Sequence, residues 1–446
     1  MAAPLSKRDL RILAASLRFN PEEALGMLLE NPDACLPQIV RIADQDPPDD
    51  AARIVLVLQE FSARANTVAM DLQILQCIPH GSPHLTGFAT DLAKGIAARL
   101  AADATATGAM IRAEVLSELS ERCEAGGDPL NGLAASMESV RLFRDLSAKD
   151  AQVLPKLVAA LKCLAKRCSS ARDHAAAIRA ATEAVEIAIS IADDLTGARR
   201  VIDALDVLAN RQSIAGEREL ALTTTMRGVA LLDSLGEHGE ALIEERAMIR
   251  LRQSTLLTRL QRFEECLPIA DEAVELFQGL AHQSPHAYAH LYLEAVDLAG
   301  GCRVRLGLPI SGFLPRGEAR AFFEPLVAAD PRRHAPRLMR YLARESAMIE
   351  ADGKSDEALR LVQQAVAMVA TVSEHHENRH AMDQGHVFIH CAQLQLARGN
   401  MAAAVEAVHR AIERFGAAAE TQPAATAWLD SARAFLGQIS ARREAP

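Results

Sequence analysis

The sequence predicts an all-α protein assembled from helix-turn-helix units repeated along the chain. Three observations predict it. Apolar residues fall at i, i+3 and i+7, as at Leu161, Leu164 and Cys168, the stripe of one buried helix face. Successive segments align with one another without gaps at offsets of 44 to 46 residues. Two positions in the second helix of every unit are always small.

The alignment starts with LSELSERCEAGGDPLNGLAASMESV from Leu116, laid on LKCLAKRCSSARDHAAAIRAATEAV from Leu161 and LDVLANRQSIAGERELALTTTMRGV from Leu205. Its phase continues through the marker residues Val140, Val185, Val229, Val274, Arg320, Val366 and Ile412, so the array holds seven units. Each unit breaks after its first helix, often at glycine, as at Gly216, Gly353 and Gly399. In the second helix the first small position holds Gly132, Ala177, Ala221, Cys266, Gly312, Ala358 and Ala404. The second, seven residues on, holds Ser139, Ala184, Gly228, Ala273, Ala319, Ala365 and Ala411. Helices that approach closely need short side chains where they meet, which predicts contact between the two helices of a hairpin and the next hairpin.

The G-K-S-D-E-A-L run from Gly353 and the G-N-M-A-A-A-V run from Gly399 carry a turn and second-helix signature that resembles the tetratricopeptide repeat, over about residues 103 to 416. The resemblance implies a solenoid, a TPR-like superhelix of stacked helical hairpins that binds peptides or proteins. Two departures mark this chain: a period near 45 rather than 34, and first-helix aromatics mostly replaced by Leu. HEAT-like repeats share the longer period and stand as the alternative fold.

Three segments are expected. Residues 1–84 form an N-terminal helical module or degenerate repeats, cut into short helices by Pro21, Pro32, Pro37, Pro47 and Pro48 and closed by Pro79-His80-Gly81-Ser82-Pro83. Residues 85–418 carry the repeat array. Residues 419–446 form a C-terminal capping helix with Trp428, Ala432, Phe435, Leu436 and Ile439 on one apolar face.

Composition narrows function. Hydrophobic residues at 50% and charged residues at 24% suit a chain with a large core. With a net charge of −10 and only 4% aromatics, the chain repels phosphate backbones and offers few stacking faces, so neither nucleic acid nor membrane is an expected partner. The N-terminus lacks a signal-peptide core, and a cytoplasmic location is expected. The eight cysteines form no C-x-x-C pair and are expected as reduced packing residues.

The sharpest enzyme motif is His376-Glu377-Asn378-Arg379-His380, an H-E-x-x-H with His386 ten residues after the first histidine. On one helix it would hold Zn²⁺ and activate water. Shifted back by 46, however, it falls on Asp330-Pro331-Arg332-Arg333-His334-Ala335, a connector that starts a new helix. No metal, no cofactor and no enzyme activity is therefore expected. His282, His286 and His290 recur every four residues, but Pro285 interrupts a helix through them, and they are expected at the surface. Lys162 and Lys166 face the groove with Asp206 and Glu121 as aligned neighbours, which predicts inter-repeat ion pairs.

The predicted function is a protein- or peptide-binding scaffold or adaptor, with a peptide-responsive regulator as the alternative and a zinc hydrolase third. The binding groove is predicted at Arg337, Arg340 and Arg344, one stripe on a helix expected to start near Pro336, flanked by His386, His390 and Gln393. Column alignment sets Glu294 against Arg340 and Asp383 against Arg337, and leaves Arg344 without a partner. The ligand expected there is an acidic peptide, its carboxylate gripped by arginine.

Overall fold

The computed structural model describes residues 5–45, 48–80, 82, 84–236, 241–310, 313, 315–376, 378, 380–420, 422 and 425–444. They form helices and no strand. The chain divides into two compact units, Met1–Thr224 and Thr225–Pro446.

The first unit opens with α1 (Lys7–Phe19), α2 (Pro21–Glu30), α3 (Pro32–Gln45), α4 (Pro48–Ala65), α5 (Val68–Cys77) and α6 (Thr86–Arg99). Ser6 starts α1 with a capping box, its hydroxyl accepting from the Asp9 amide. Pro21, Pro32 and Pro48 are each the first residue of a helix, where the missing N–H would have no partner anyway. Pro37 sits inside α3, whereas Pro47, Gly81 and Pro83 lie outside the described residues.

Seven hairpins follow. They are α7 (Ala106–Ala125) with α8 (Pro129–Ser147), α9 (Leu154–Ser170) with α10 (His174–Ser190), and α11 (Leu195–Ile214) with α12 (Arg218–Ser234), in which the unit boundary falls. The second unit holds α13 (Ile243–Arg259) with α14 (Phe263–Gln283), α15 (Pro285–Arg305) with α16 (Pro315–Ala329), α17 (Pro331–Ala351) with α18 (Ser355–His376), and α19 (Ala381–Ala397) with α20 (Met401–Ala419). A last helix, α21 (Ala425–Glu444), packs on α20 and buries Ala425, Ala432 and Ile439. The expected apolar face is only partly covered there, since Trp428 is half-exposed.

One turn joins the two helices of every hairpin. Its central residue has positive φ in each: Gly127, Arg172, Gly216, Gln261, Gly307, Gly353 and Gly399. The amide of that residue donates to a carbonyl three residues back, and the next amide reaches a carbonyl five back, as in Gly353 to Glu350 (2.8 Å) and Lys354 to Ile349 (3.2 Å). These two bonds satisfy carbonyls that the helix end would otherwise strand.

Small residues set the hairpin spacing. Gly312 lies outside the described residues, and every other residue of the two predicted small columns is buried. A Cβ on Gly132 would stand 3.2 Å from the Ser120 carbonyl oxygen and 3.3 Å from the Cys123 Cβ, both on the partner helix. The structure adds a third small column in the first helices, at Ser120, Ala165, Ala209, Ser254, Gly300, Ser346 and Ala392, all buried. Cys266 joins the columns: its thiol donates to the Ser254 carbonyl (3.3 Å) in its own hairpin and lies 3.1 Å from the Cys302 sulfur in the next. All eight cysteines are free and seven are buried.

Within each unit, consecutive first helices touch: α7 with α9, α9 with α11, α13 with α15, α15 with α17, and α17 with α19. Side chains beside their buried stripes therefore face one another across shallow clefts. One expectation fails at α17, which begins at Pro331 with Asp330 as its cap (Arg333 amide to Oδ1, 3.1 Å), not near Pro336. Pro336 is accommodated within the helix, so Arg337 lies beyond the first turn and the macrodipole cost expected for it does not arise.

Candidate functional site

Between α15 and α17 lies an open cleft of about 250 Å³. His290, Leu293, Glu294 and Asp297 form one wall, and Arg337, Arg340, Tyr341 and Arg344 the other. Both sets follow i, i+3, i+4, i+7, so each wall is a single stripe of one helix, two turns long. Adjacent buried stripes hold the walls in place: Ala289, Tyr292 and Val296 on α15, Leu338, Met339 and Leu342 on α17. The Tyr341 hydroxyl donates to the Arg316 carbonyl (3.0 Å), fixing its ring.

Charge is unevenly spread along the cleft. At one end the Arg344 guanidinium pairs with Asp297, whose carboxyl is pushed up by burial and pulled back by that cation. In the middle Arg340 turns toward α19 and meets Asp383 at 3.3 Å. Arg337, at the other end, is exposed, and among the described residues no carboxylate lies within ion-pair distance of it. Burial and the neighbouring Arg337, Arg333 and His334 push the His290 imidazole down to about 4, so it is neutral near pH 7. Burial and Arg333 also lower His334, so the positive charge at this end comes from Arg333 and Arg337, and Glu294, beyond ion-pair distance, offsets part of it at Arg337.

The structure thus brings the three predicted arginines into one cleft and leaves the other predicted residues elsewhere. His386 packs edge-on against Trp428 (4.5 Å between centroids) and Phe415 (5.2 Å), in the contact among α19, α20 and α21. His390 shares a hydrogen bond with the Ser346 hydroxyl (2.9 Å) and lies 3.9 Å from Glu350, while Gln393 is exposed. The expectation that Arg344 lacks a partner is corrected by Asp297, and the expected pairing of Arg340 with Glu294 by Asp383.

These corrections share one cause. Ion pairs between successive first helices do not join aligned positions. Arg344 and Asp297 differ by one residue from strict alignment, as do Arg167 and Glu121 (3.0 Å). Lys156 with Glu114, Lys162 with Asp203, and Arg340 with Asp383 differ by three in the opposite sense. Positions four apart lie one turn apart on the same face, so both offsets describe one packing geometry. The inter-repeat pairs predicted for the lysines therefore exist, but Lys162 meets Asp203 instead of Asp206, and Glu121 meets Arg167 instead of Lys166.

His290, Glu294, Asp297 and Tyr341 were not singled out as groove residues by the sequence. The i, i+4 histidine run flagged His290, but as surface; it is half-buried in the cleft wall. Pro285 does break the run, since α14 ends at Gln283 and α15 starts at Pro285. In the H-E-x-x-H segment, His376 is the last residue of α18 and His380 precedes α19. The two histidines thus do not share a helix; Glu377 and Arg379 lie outside the described residues.

No protein-family model and no curated protein matches the chain. Solved structures do. The apo form of RapI is similar with a TM-score of 0.51 at 11% identity, over 93% of this chain and 98% of that one. The apo form of the quorum sensor NprR from B. thuringiensis is similar with a TM-score of 0.50 at 9% identity, over 85% and 97%. A tetratricopeptide repeat protein from Parabacteroides merdae is 16% identical over 72% and 98%, with a TM-score of 0.39. At identities this low, the likeness to RapI and NprR shows the fold alone: an all-α, tetratricopeptide-like helix-turn-helix repeat.

Proposed function

We propose that this tetratricopeptide-like repeat chain is a binding scaffold, which holds a protein segment or peptide against its first helices and takes an anionic group of that ligand in the cleft between α15 and α17. The observation that carries the proposal is Arg337, an exposed guanidinium without an ion-pair partner among the described residues, at the electropositive end of a cleft whose other arginines are paired. A guanidinium can grip a carboxylate with two parallel hydrogen bonds, and such a charge-assisted contact is worth about 1.5–3 kcal/mol. No catalytic role is assigned to the cleft. The net charge of −10 disfavours nucleic acid and anionic membrane as partners, and among the described residues no helix is long and apolar enough to cross a membrane.

Titration calorimetry with short acidic peptides tests the proposal. Affinity should fall roughly tenfold or more in Arg337→Gln, and should weaken with salt. Unchanged affinity in that variant, or equal binding of peptides lacking carboxylates, rejects it. A second proposal, favoured by the fold shared with the quorum sensor NprR, is that a bound peptide changes the arrangement of the repeats and so regulates a partner. Small-angle scattering with and without a bound peptide distinguishes the two, because a passive scaffold keeps its profile.

A further inference from the structure

The cleft between α15 and α17 is dipolar, and we infer that its ligand is a short zwitterionic peptide, its C-terminal carboxylate on Arg337 and its N-terminal ammonium on Asp297. The inference rests on the binding role proposed above and names the ligand's chemistry. Asp297 keeps only 16% of its side-chain surface at one end of the α15 wall, whereas the Arg344 that pairs with it is 66% exposed. A buried carboxylate is stable as an anion only with a cation beside it. Arg344 supplies that cation from the solvent side on a long side chain, so it stands where a ligand ammonium would stand and can swing away.

The opposite end has the complementary arrangement. Arg337 lacks an ion-pair partner among the described residues, and His290 beside it is kept neutral by burial and then by the cations around it, so the guanidinium at this end is free to take an anion. Glu294, midway along the same wall of α15, acts on Arg337 from beyond ion-pair distance and adds negative charge on its Asp297 side.

Distance sets the ligand length. Asp297 lies seven residues along α15 from His290, about 10 Å at a rise of 1.5 Å per residue. An extended peptide spans about 3.3–3.6 Å per residue, so roughly three residues place an ammonium at one end and a carboxylate at the other. The cleft volume of about 250 Å³ suits so small a ligand and not a folded domain.

The zwitterionic ligand reverses the role that the arginine stripe alone suggests for Arg344. As a carboxylate receptor, Arg344 would be needed for binding; as an occupant of the ammonium site, it competes with the ligand. The full chain is titrated by calorimetry and ligand-observed NMR with trialanine and a pool of mixed tripeptides, each with free termini, N-acetylated, or C-amidated. Blocking either terminus should weaken binding at least tenfold. Arg337→Gln should abolish the penalty for amidation, and Arg344→Ala should tighten binding of the free-termini peptides about threefold or more. The zwitterionic assignment is overturned if N-acetylation has no effect, if Arg344→Ala weakens binding, or if no tripeptide binds at millimolar concentration. Longer acidic peptides that still bind in an Arg337-dependent way would then leave the scaffold role standing. If neither tripeptides nor longer peptides depend on Arg337, both proposals fall together.

Discussion

Gly353 sits in the turn between α17 and α18 with φ of 77°, and a Cβ placed on it would meet nothing within 4 Å. Gly353→Ala therefore tests backbone conformation without steric interference. A left-handed conformation costs an L-residue about 1–2 kcal/mol. Replacing glycine also restricts the unfolded chain, which returns about 0.4–1 kcal/mol. The expected net loss is about 1 kcal/mol. Gly95 supplies the control, since it lies inside α6, is exposed, and also has nothing within 4 Å of its Cβ. Gly95→Ala should stabilise by about 0.5–1 kcal/mol, because alanine favours a helix interior. The same chemical change should therefore have opposite signs at the two sites. Arg172, in the equivalent turn with φ of 63° and an exposed side chain, gives the reciprocal experiment. Arg172→Gly should be neutral to stabilising by about 1 kcal/mol, as relief of strain outweighs the added chain entropy. Urea midpoints report the global effect, and segment-resolved hydrogen exchange in α17 and α18, or in α6, reports the local one. If Gly353→Ala stabilises its hairpin as Gly95→Ala does α6, the left-handed turn is not what selects glycine there.

Three further outcomes are expected. Ala184, fully buried in the second small column, should tolerate no enlargement: Ala184→Phe should cost about 1–3 kcal/mol, measured as a shift in the urea midpoint. A histidine whose folded pKa lies below its unfolded value of 6.5 supports folding above pH 6.5 and loses that contribution as pH falls toward 4. NMR should thus find the His290 ring titrating near 4, and His290→Gln should flatten the fall of stability between pH 6.5 and 4; a ring titrating near 6.5 contradicts its burial beside the cations of the cleft end. Glu345, buried between Arg316 and Arg320 at 3.5 Å from each, has its carboxyl raised mainly by desolvation. Its contribution is complete below 4.5 and declines as pH rises through the raised value, so Glu345→Gln should remove that part of the pH dependence, measured as stability against pH.

The chain's own residues determine the repeat. A hairpin can close only where both helices and the next hairpin carry short side chains at the crossing, so small residues recur at fixed register and mark each unit in the linear sequence. The break after each first helix is equally legible wherever the turn residue is glycine, as at Gly216, Gly353 and Gly399. Arg172 and Gln261 occupy the same left-handed position without that signal, and only the backbone shows it. The stripe of Arg337, Arg340 and Arg344 was likewise visible, because residues on one helix face obey one period. What tertiary packing alone decided is which charges meet. Column alignment places successive first helices level, but their side chains interlock one residue to one side or three to the other, which gave Asp297 to Arg344 and Asp383 to Arg340. His386, in phase with the groove by sequence, was drawn to Phe415 and Trp428 by the fold of the last helices, whose approach no single-helix periodicity encodes. Arg337 was left without an ion-pair partner among the described residues for the same reason: pairing depends on the offset between neighbouring helices, a quantity that exists only once they are packed.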